Sequence, residues 1–320
     1  MERLDAFMAR ANALYYANHD PFADFATSPE ISQIFGELLG AWSAIVWQSM
    51  GSPSKVILAE AGPGRGTLMA DALRLIRRMA PDFAASLSVH LVETSPRLRA
   101  EQSSRLGSVV FHDRVEDLPA GPMILLANEF FDALPIRQFV RRAGWVERFV
   151  SQGCFVEQAT DVPLPDAEAG SVWEMCEPAR DIASMLGARF VREPGAALLI
   201  DYGPARSDFG DSLQALRNRE YADPLAAPGE ADLTAHVDFQ SLAEAAQGAV
   251  SHGPLPQGVF LTRLGLMQRM GNLARTQTPR EAMLTIASAR RLAEPAAMGQ
   301  LFKVLALTSP GLPQPPGFAE

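Results

Sequence analysis

The stretch that most constrains this chain runs from Val56 to Thr67, Val-Ile-Leu-Ala-Glu-Ala-Gly-Pro-Gly-Arg-Gly-Thr. A short apolar run carries an acid, Glu60, near its end, and Gly62, Gly64 and Gly66 follow at alternate positions. Leu68 to Met79 then reads as an amphipathic helix. Strand, tight turn and helix together bring backbone N–H groups close to a ligand, because a glycine has no Cβ to hold it off. A second apolar run closes on His90-Leu91-Val92-Glu93. A carboxylate at the tip of the second strand of such a unit can accept hydrogen bonds from both hydroxyls of a ribose.

The spacing separates this unit from two commoner ones. A dinucleotide fingerprint needs G-x-G-x-x-G, its third glycine letting helix and strand pack closely. Thr67 stands where that glycine would be, which disfavours a nicotinamide-dependent oxidoreductase. A phosphate loop needs a Lys-Ser/Thr pair after its last glycine, and Gly66 is followed by Thr67-Leu68. The acid, the spaced glycines and the ribose acid are similar to motif I of class I methyltransferases that use S-adenosylmethionine.

Composition removes other classes. The chain has 320 residues, 48% hydrophobic and 20% charged, enough for a full core in one large domain or one domain with a sizeable insertion. A net charge of −9 argues against a nucleic-acid surface, which needs a basic stripe. Cys154 and Cys176 show neither metal spacing nor a disulfide framework, and fit a reducing cytoplasm. The five histidines are scattered, so no metal is expected. No apolar run approaches the roughly 20 residues of a membrane helix. Residues 1–10 carry two acids and no long apolar core, unlike a signal or transit peptide. The expectation is a bacterial cytoplasmic protein without membrane insertion.

The pattern along the chain alternates strand and helix. Residues 4–16 have helical periodicity. Ser28 reads as the N-cap of a helix with Pro29 at its first position, running to about Gln48. Strands are expected at 56–60, 88–93, 108–111 and 122–127, with helices between the first three. A hairpin follows at 138–142 and 145–150, then an irregular region to 195 with one helix at 178–187. A buried strand at 196–201, a loop-rich stretch at 205–236, a helix from Asp238, helices through 257–293 and a closing strand at 301–308 complete the chain. The tail from Pro310 to Glu320, with four prolines and two glycines, reads as an end that passes from ordered to frayed. Alternation of this kind predicts an α/β, Rossmann-like class I methyltransferase fold. Its mostly parallel seven-stranded sheet would have helices on both faces and an inserted substrate-capping region. Residues 1–50 would form a helical lid region. The core would be 51–136 with 196–310, carrying a helical insertion at 257–293, with the cap at 137–195 and a tail at 311–320. Ligands bind at the carboxyl ends of such strands, which puts Glu60–Gly66, Glu93, His112-Asp113, Asn128-Glu129 and Asp201-Tyr202 on one rim.

Longer matches point further. Asp24-Phe25-Ala26-Thr27-Ser28-Pro29-Glu30-Ile31-Ser32-Gln33 is followed by the glycine turn, by Leu91-Val92-Glu93 and by Asn128-Glu129-Phe130-Phe131-Asp132-Ala133-Leu134-Pro135. Later come Asp201-Tyr202-Gly203, Ala231-Asp232-Leu233-Thr234-Ala235-His236-Val237-Asp238-Phe239, Gly253-Pro254, Gln257-Gly258 and Met298-Gly299-x-Leu301-Phe302-Lys303. Together these resemble the MidA family of S-adenosylmethionine-dependent methyltransferases over nearly the whole chain. Mitochondrial members are arginine methyltransferases acting in assembly of respiratory complex I. The resemblance therefore implies S-adenosyl-L-methionine as cofactor and an arginine of a partner protein as acceptor. It extends to a respiratory complex I subunit as that partner. The chain departs from the family at Ala23, where a glycine is usual, and in a short stretch between Tyr16 and Asp24, both bearing on the lid.

Each candidate residue has a functional and a plainer reading. Gly62, Gly64, Gly66 and Glu60 would hold the methionine end of the cofactor, or form an ordinary turn with a helix-dipole carboxylate. Glu93 would bind the ribose, or be a surface acid. Asp113 would accept from the adenine amine, or be a solvated loop charge. Thr27, Ser28 and Pro29 would cover the cofactor, or cap a helix. Asn128, Glu129 and Asp132 follow the fourth strand, where a carboxylate pair could hold a guanidinium and take its proton. Otherwise Asn128 caps a turn and Asp132 starts a helix. Tyr202, Asp232 and His236 would line the substrate pocket, or fill space. The competing functions are a small-molecule methyltransferase on the same fold and a non-catalytic assembly chaperone that keeps the cofactor site as a relic.

Overall fold

Strands buried on both faces belong in the middle of a parallel sheet, where helices cover each side. Three runs meet that description: Val56–Ala61, Met123–Asn128 and Gly195–Tyr202. The protein's structure, a computed structural model, describes residues 1–19 and 27–319. In chain order its elements are β1 Glu2–Arg3, α1 Leu4–Asn18, α2 Ser28–Ile31, α3 Gln33–Ser49, β2 Val56–Ala61, α4 Thr67–Met79, α5 Pro81–Ser86, β3 Leu87–Val92, α6 Pro96–Leu106, β4 Val110–His112 and β5 Met123–Asn128. Then come β6 Arg137–Arg141, β7 Trp145–Ser151, β8 Cys154–Ala159, β9 Val172–Met175, α7 Glu177–Arg192 and β10 Gly195–Tyr202. The chain continues with β11 Gln214–Arg217, β12 Glu220–Ala222, β13 Asp232–Thr234, α8 Phe239–Ala245 and β14 Val250–Pro256. It closes with α9 Gln257–Arg263, α10 Leu266–Ala274, α11 Pro279–Ala293 and β15 Phe302–Thr308.

The central sheet has seven strands in the order β14-β15-β10-β5-β2-β3-β4. From β10 to β4 every neighbour is parallel, and β15 and β14 run antiparallel at the other edge. This is the expected class I methyltransferase arrangement. Two apolar layers cover its faces. One joins α3, α4, α9 and α11 to the sheet through Trp42, Leu73, Phe260 and Leu292. The other joins α7 and α8 through Ile182, Leu186, Phe190 and Phe239.

Residues between β5 and β10, which are neighbours in the sheet, form a separate antiparallel sheet with β1 from the N-terminal end added at its edge. Its order is β1-β7-β6-β9, with β8 paired to β7. The region after residue 150 was expected to be irregular; β8 and β9 lie there, and the helix is longer than expected. β8 is exposed along nearly its whole length, so it shows no burial alternation, and its pairing to β7 comes from the hairpin alone. β11, β12 and β13 likewise form a small sheet in the stretch expected to be loops. β14 was not foreseen. It contains Gly253, Pro254 and Pro256, which break a strand pattern, and it is tolerated at the sheet edge with a register shift between His252 and Leu255.

Two further expectations change. The helix expected from Ser28 to Gln48 is two helices, α2 and α3, separated at Ser32, whose backbone is extended. Thr27, not Ser28, is the residue before α2, and it is the Ser32 side chain that caps, accepting from Ile34 N–H. Within the tail, Phe318 is buried against Phe260 with ring centroids 5.3 Å apart. Ala23, Asp24, Phe25 and Ala26 of the quoted motif lie outside the described residues.

The helix that follows the glycine turn, α4, is set by α3. Gly36 and Gly40 face it, and a Cβ on Gly40 would stand 2.8 Å from both the Cα and the carbonyl oxygen of Ala72. The two backbones therefore touch, and nothing flexible is there to yield. Gly40→Leu should push α3 off α4 and lower unfolding stability by about 1–3 kcal/mol, read as an earlier urea midpoint with an unchanged slope.

Candidate active site

The glycine turn needs three left-handed residues. Gly62, Gly64 and Gly66 have φ of 66°, 53° and 74°. Gly62 N–H donates to Val92 carbonyl across the sheet at 3.1 Å, and Gly66 is the N-cap of α4. The turn opens onto a cavity of about 860 Å³ at the carboxyl ends of the parallel strands. That size suits a ligand with several functional groups.

The cavity walls are acidic. Glu30, Glu60, Glu93, Asp113, Glu116, Glu129 and Asp181 line it, against Arg65 and Arg114. Such a wall favours cations. Glu60 is 3% exposed; its carboxylate accepts from Met69 N–H in the first turn of α4, and burial pushes it up to about 8. Its Oε2 is buried with no hydrogen-bond partner. Glu93 follows β3. Its Oε1 accepts from Ser95 N–H at 2.7 Å and its Oε2 from Gln102 Nε2 at 3.3 Å, and burial raises its pKa. Asp113 sits at the rim with a side chain 73% exposed, ion-paired to Arg99 at 2.6 Å.

Asn128 and Glu129 close the floor. Glu129 has φ of 52°, a conformation that costs a non-glycine residue free energy and tends to persist where function needs it. The turn aims the Glu129 carboxylate at the start of α2. Its Oε1 accepts from Ser28 N–H and from Asn128 Nδ2, each at 3.0 Å. Burial pushes its pKa up to about 7. Asn128 Oδ1 is buried without a partner.

The turn is held from behind by Asp201, at the end of β10. Asp201 Oδ2 accepts from Phe131 N–H at 3.0 Å and Asp132 N–H at 3.2 Å, and Oδ1 from Tyr202 N–H at 2.9 Å. Asp132 is 8% exposed and does not line the cavity; burial, then the nearby Glu129 charge, raises its pKa. The Tyr202 hydroxyl hydrogen-bonds to it.

The structure thus brings Thr27, Pro29, Glu60, Gly62, Gly64, Glu93, Asp113, Asn128 and Glu129 to one cavity. Ser28 reaches it through its backbone, and Gly66 through the turn. Tyr202, Asp232 and His236 stand elsewhere. Tyr202 packs between His236 and Phe302. Asp232 accepts from the Tyr16 hydroxyl at 2.8 Å, and Tyr16 itself lines the cavity. His236 lines a smaller cavity of about 270 Å³ on the far side of Phe131.

Some site residues carried no sequence signal. Gln102 donates to both Gly64 carbonyl, at 2.6 Å, and Glu93, tying the turn to the second strand tip. It is a single glutamine in a polar helix. Arg99 braces Glu93 carbonyl, His112 carbonyl and Asp113 together. The grip of Asp201 on the Glu129 turn needs strand adjacency that only the fold supplies.

The free acceptors fit an amino-acid nucleoside. Glu60 Oε2 and Asn128 Oδ1 lack donors, which an ammonium or a hydroxyl would provide, and the Glu93 carboxylate lines the same cavity. Among the described residues, no group of three or more His, Cys, Asp or Glu is arranged to hold a metal ion.

Glu60 and Glu129 keep their protons to higher pH in the fold than in the unfolded chain. Their contribution to stability is therefore complete below about pH 4 and is lost as pH rises through 7 to 8. The melting temperature of Glu129→Gln should accordingly fall less steeply than that of the intact protein between about pH 5 and 8; parallel curves would refute the raised Glu129 pKa.

Comparison with known proteins places the chain. Residues 38–255 match the Methyltransf_28 family model of S-adenosyl-L-methionine-dependent methyltransferases. A Drosophila melanogaster relative named protein arginine methyltransferase NDUFAF7 homolog, mitochondrial, is 36% identical over 96% of this chain and 80% of its own. The Homo sapiens protein arginine methyltransferase NDUFAF7, mitochondrial, is 35% identical over 92% of this chain and 76% of its own. A COG1565 superfamily member from Burkholderia thailandensis, crystallised with S-adenosyl-homocysteine, shares the fold, with a TM-score of 0.80 and 23% identity over 98% of this chain and 89% of that one. The chain belongs to the Methyltransf_28 family, the MidA-like enzymes that transfer methyl groups from S-adenosylmethionine.

Proposed function

We propose that this enzyme methylates an arginine side chain of a partner protein, with Glu129 as the carboxylate that receives the guanidinium. The observation that carries the reading is the Glu129 carboxyl itself. It is buried, held by a left-handed backbone, and set in the floor of a cavity lined by seven acids. The names of the relatives, protein arginine methyltransferases, support the acceptor.

Bound S-adenosylmethionine supplies an electrophilic methyl on a sulfonium. The glycine turn and Glu60 would hold its amino-acid end, Glu93 its ribose and Asp113 the adenine edge, under Thr27 and Pro29. A carboxyl poised near pH 7 ionises readily when a cation arrives. As carboxylate, Glu129 would hold the guanidinium by charge-assisted hydrogen bonds and leave one nitrogen facing the methyl. That nitrogen forms the new N–C bond as the S–C electron pair passes to sulfur. The proton it sheds passes to the carboxylate. Asp132, behind the wall, would be kept protonated by burial and by the Glu129 charge, and Tyr202 would fix it in place. Asp232 and His236 would act at one remove, through Tyr16 and Tyr202.

A subunit of respiratory complex I is the partner we propose from the family resemblance, and a cytoplasmic setting the location. No helix among the described residues is long and apolar enough to cross a membrane. Residues 1–50 as lid, 137–195 as cap and 257–293 as a helical insertion remain our reading of how the chain divides around the cavity.

Tritiated S-adenosylmethionine incubated with the enzyme and a protein extract should put label into methylarginine of the protein fraction. Label in the small-molecule fraction instead would move the acceptor to a metabolite. Glu129→Gln should lower transfer by about 10²- to 10⁴-fold with S-adenosylhomocysteine affinity nearly unchanged. Loss of both would make Glu129 a structural residue. Glu93→Ala should weaken S-adenosylhomocysteine about 100-fold by calorimetry, the loss of two charge-assisted hydrogen bonds. An unchanged affinity would remove the ribose assignment.

A further inference from the structure

Residues 257–293 differ in charge from the rest of the chain. In a protein of net charge −9 they hold six arginines and one acid, Glu281. Four of the arginines are used internally or locally: Arg269 pairs with the buried Glu37 at 2.6 Å, Arg290 with Glu294 at 3.2 Å, Arg263 donates to the Gly317 carbonyl at 3.4 Å, and Arg275 donates to the Asn272 side chain. Arg280 and Arg291 are exposed near the two ends of α11.

Between them the helix presents apolar side chains to solvent. Arg280, Met283, Leu284, Ala287 and Arg291 recur at three- and four-residue spacing, so they share one face. Met283 is 72% exposed and Leu284 62%, while Ala289 and Leu292 on the opposite side are buried. A folded surface gains nothing from two such large apolar side chains standing together in water. The strip also has a direction. α11 packs against α2, whose Ser28 donates to Glu129, and the Arg291 guanidinium acts electrostatically on the Glu129 carboxylate. From Arg291 to Met283 the strip spans about 12 Å along the helix.

We infer that this face of α11 docks a segment of the protein substrate that carries carboxylates interleaved with apolar side chains, beside the arginine to be methylated. The inference rests on the protein-arginine reading above. Charge complementarity selects the occupant. The cavity is acidic and takes the cationic tip, and the strip outside it is basic and takes an acidic flank. A membrane surface fits less well, because the strip is narrow and lacks aromatic anchors.

The test separates docking from chemistry. Two fluorescent peptides share a Gly-Arg-Gly target, one followed by a Glu/Leu helix and the other by a Lys/Leu helix of equal length. Anisotropy with the full chain and S-adenosylhomocysteine should show the acidic peptide binding at least about tenfold tighter, as complementary charge at a rim allows. Arg280→Glu/Met283→Glu/Leu284→Glu should abolish that preference, and Met283→Ala/Leu284→Ala, which keeps the arginines, should halve it or more. Both should retain S-adenosylhomocysteine affinity and the methylation rate of the short Gly-Arg-Gly peptide. Equal binding of the two peptides, or variants that keep the preference, would overturn the docking face. So would variants that lose affinity for vesicles containing phosphatidylglycerol while still preferring the acidic peptide, since the face would then serve a membrane. Preferential binding that the variants abolish, with no label entering either peptide, would uphold the docking face and overturn arginine as the acceptor.

Discussion

The grip of Asp201 on the turn after β5 is the interaction on which the site depends. Two backbone N–H groups, of Phe131 and Asp132, point at one carboxylate from a neighbouring strand. With those amides satisfied, the chain can leave β5 through a left-handed Glu129 and pass on toward β6. Without them, the turn would carry buried, unpaired donors and a strained residue, each costing on the order of 1–3 kcal/mol. The same neighbourhood sets the chemistry. Asp201, Asp132 and Glu129 are all buried, which raises the pKa of each; the Glu129 charge adds to the rise at Asp132, and both carboxylates add to it at Asp201. Glu129 faces the cavity, so it is the member whose charge a cationic guest can compensate.

The cavity is closed by short polar links from the N-terminal part of the chain. Ser28 N–H reaches Glu129, and Glu30 accepts from the Thr67 hydroxyl beside the glycine turn. The helix α2 thus spans the floor and the turn, joining the two halves of the site. The break at Ser32 makes this possible, because a continuous helix would fix the direction of α2 to that of α3.

The glycine turn and Glu93 were legible because their chemistry is local. Positive φ at three spaced glycines and an acid at a strand tip are properties of short segments. The alternation of strand and helix gave the parallel sheet for the same reason, since buried strands need continuous apolar runs. What misled the reading was pairing between distant pieces. β8, β9 and β11 to β14 are short, polar or interrupted by proline and glycine, and each exists because a partner strand supplies its hydrogen bonds. The expected Ser28 cap failed similarly: Ser-Pro is a fair helix start, but the hydrogen-bonding cap is Ser32, where the helix direction changes.

By itself, the sequence determined the cofactor unit, the fold class and the acidic residues from which a site could be built. These follow from patterns a few residues long and from the identity of side chains. The tertiary structure decided which of those acids meet. It placed Glu129 in the cavity and Asp132 behind its wall, set Tyr202, Asp232 and His236 one layer back, and recruited Gln102, Arg99 and Asp201 as braces. Whether a carboxylate faces a ligand or a neighbouring backbone depends on strand order and on one residue's φ. Neither is written in any single segment of the chain.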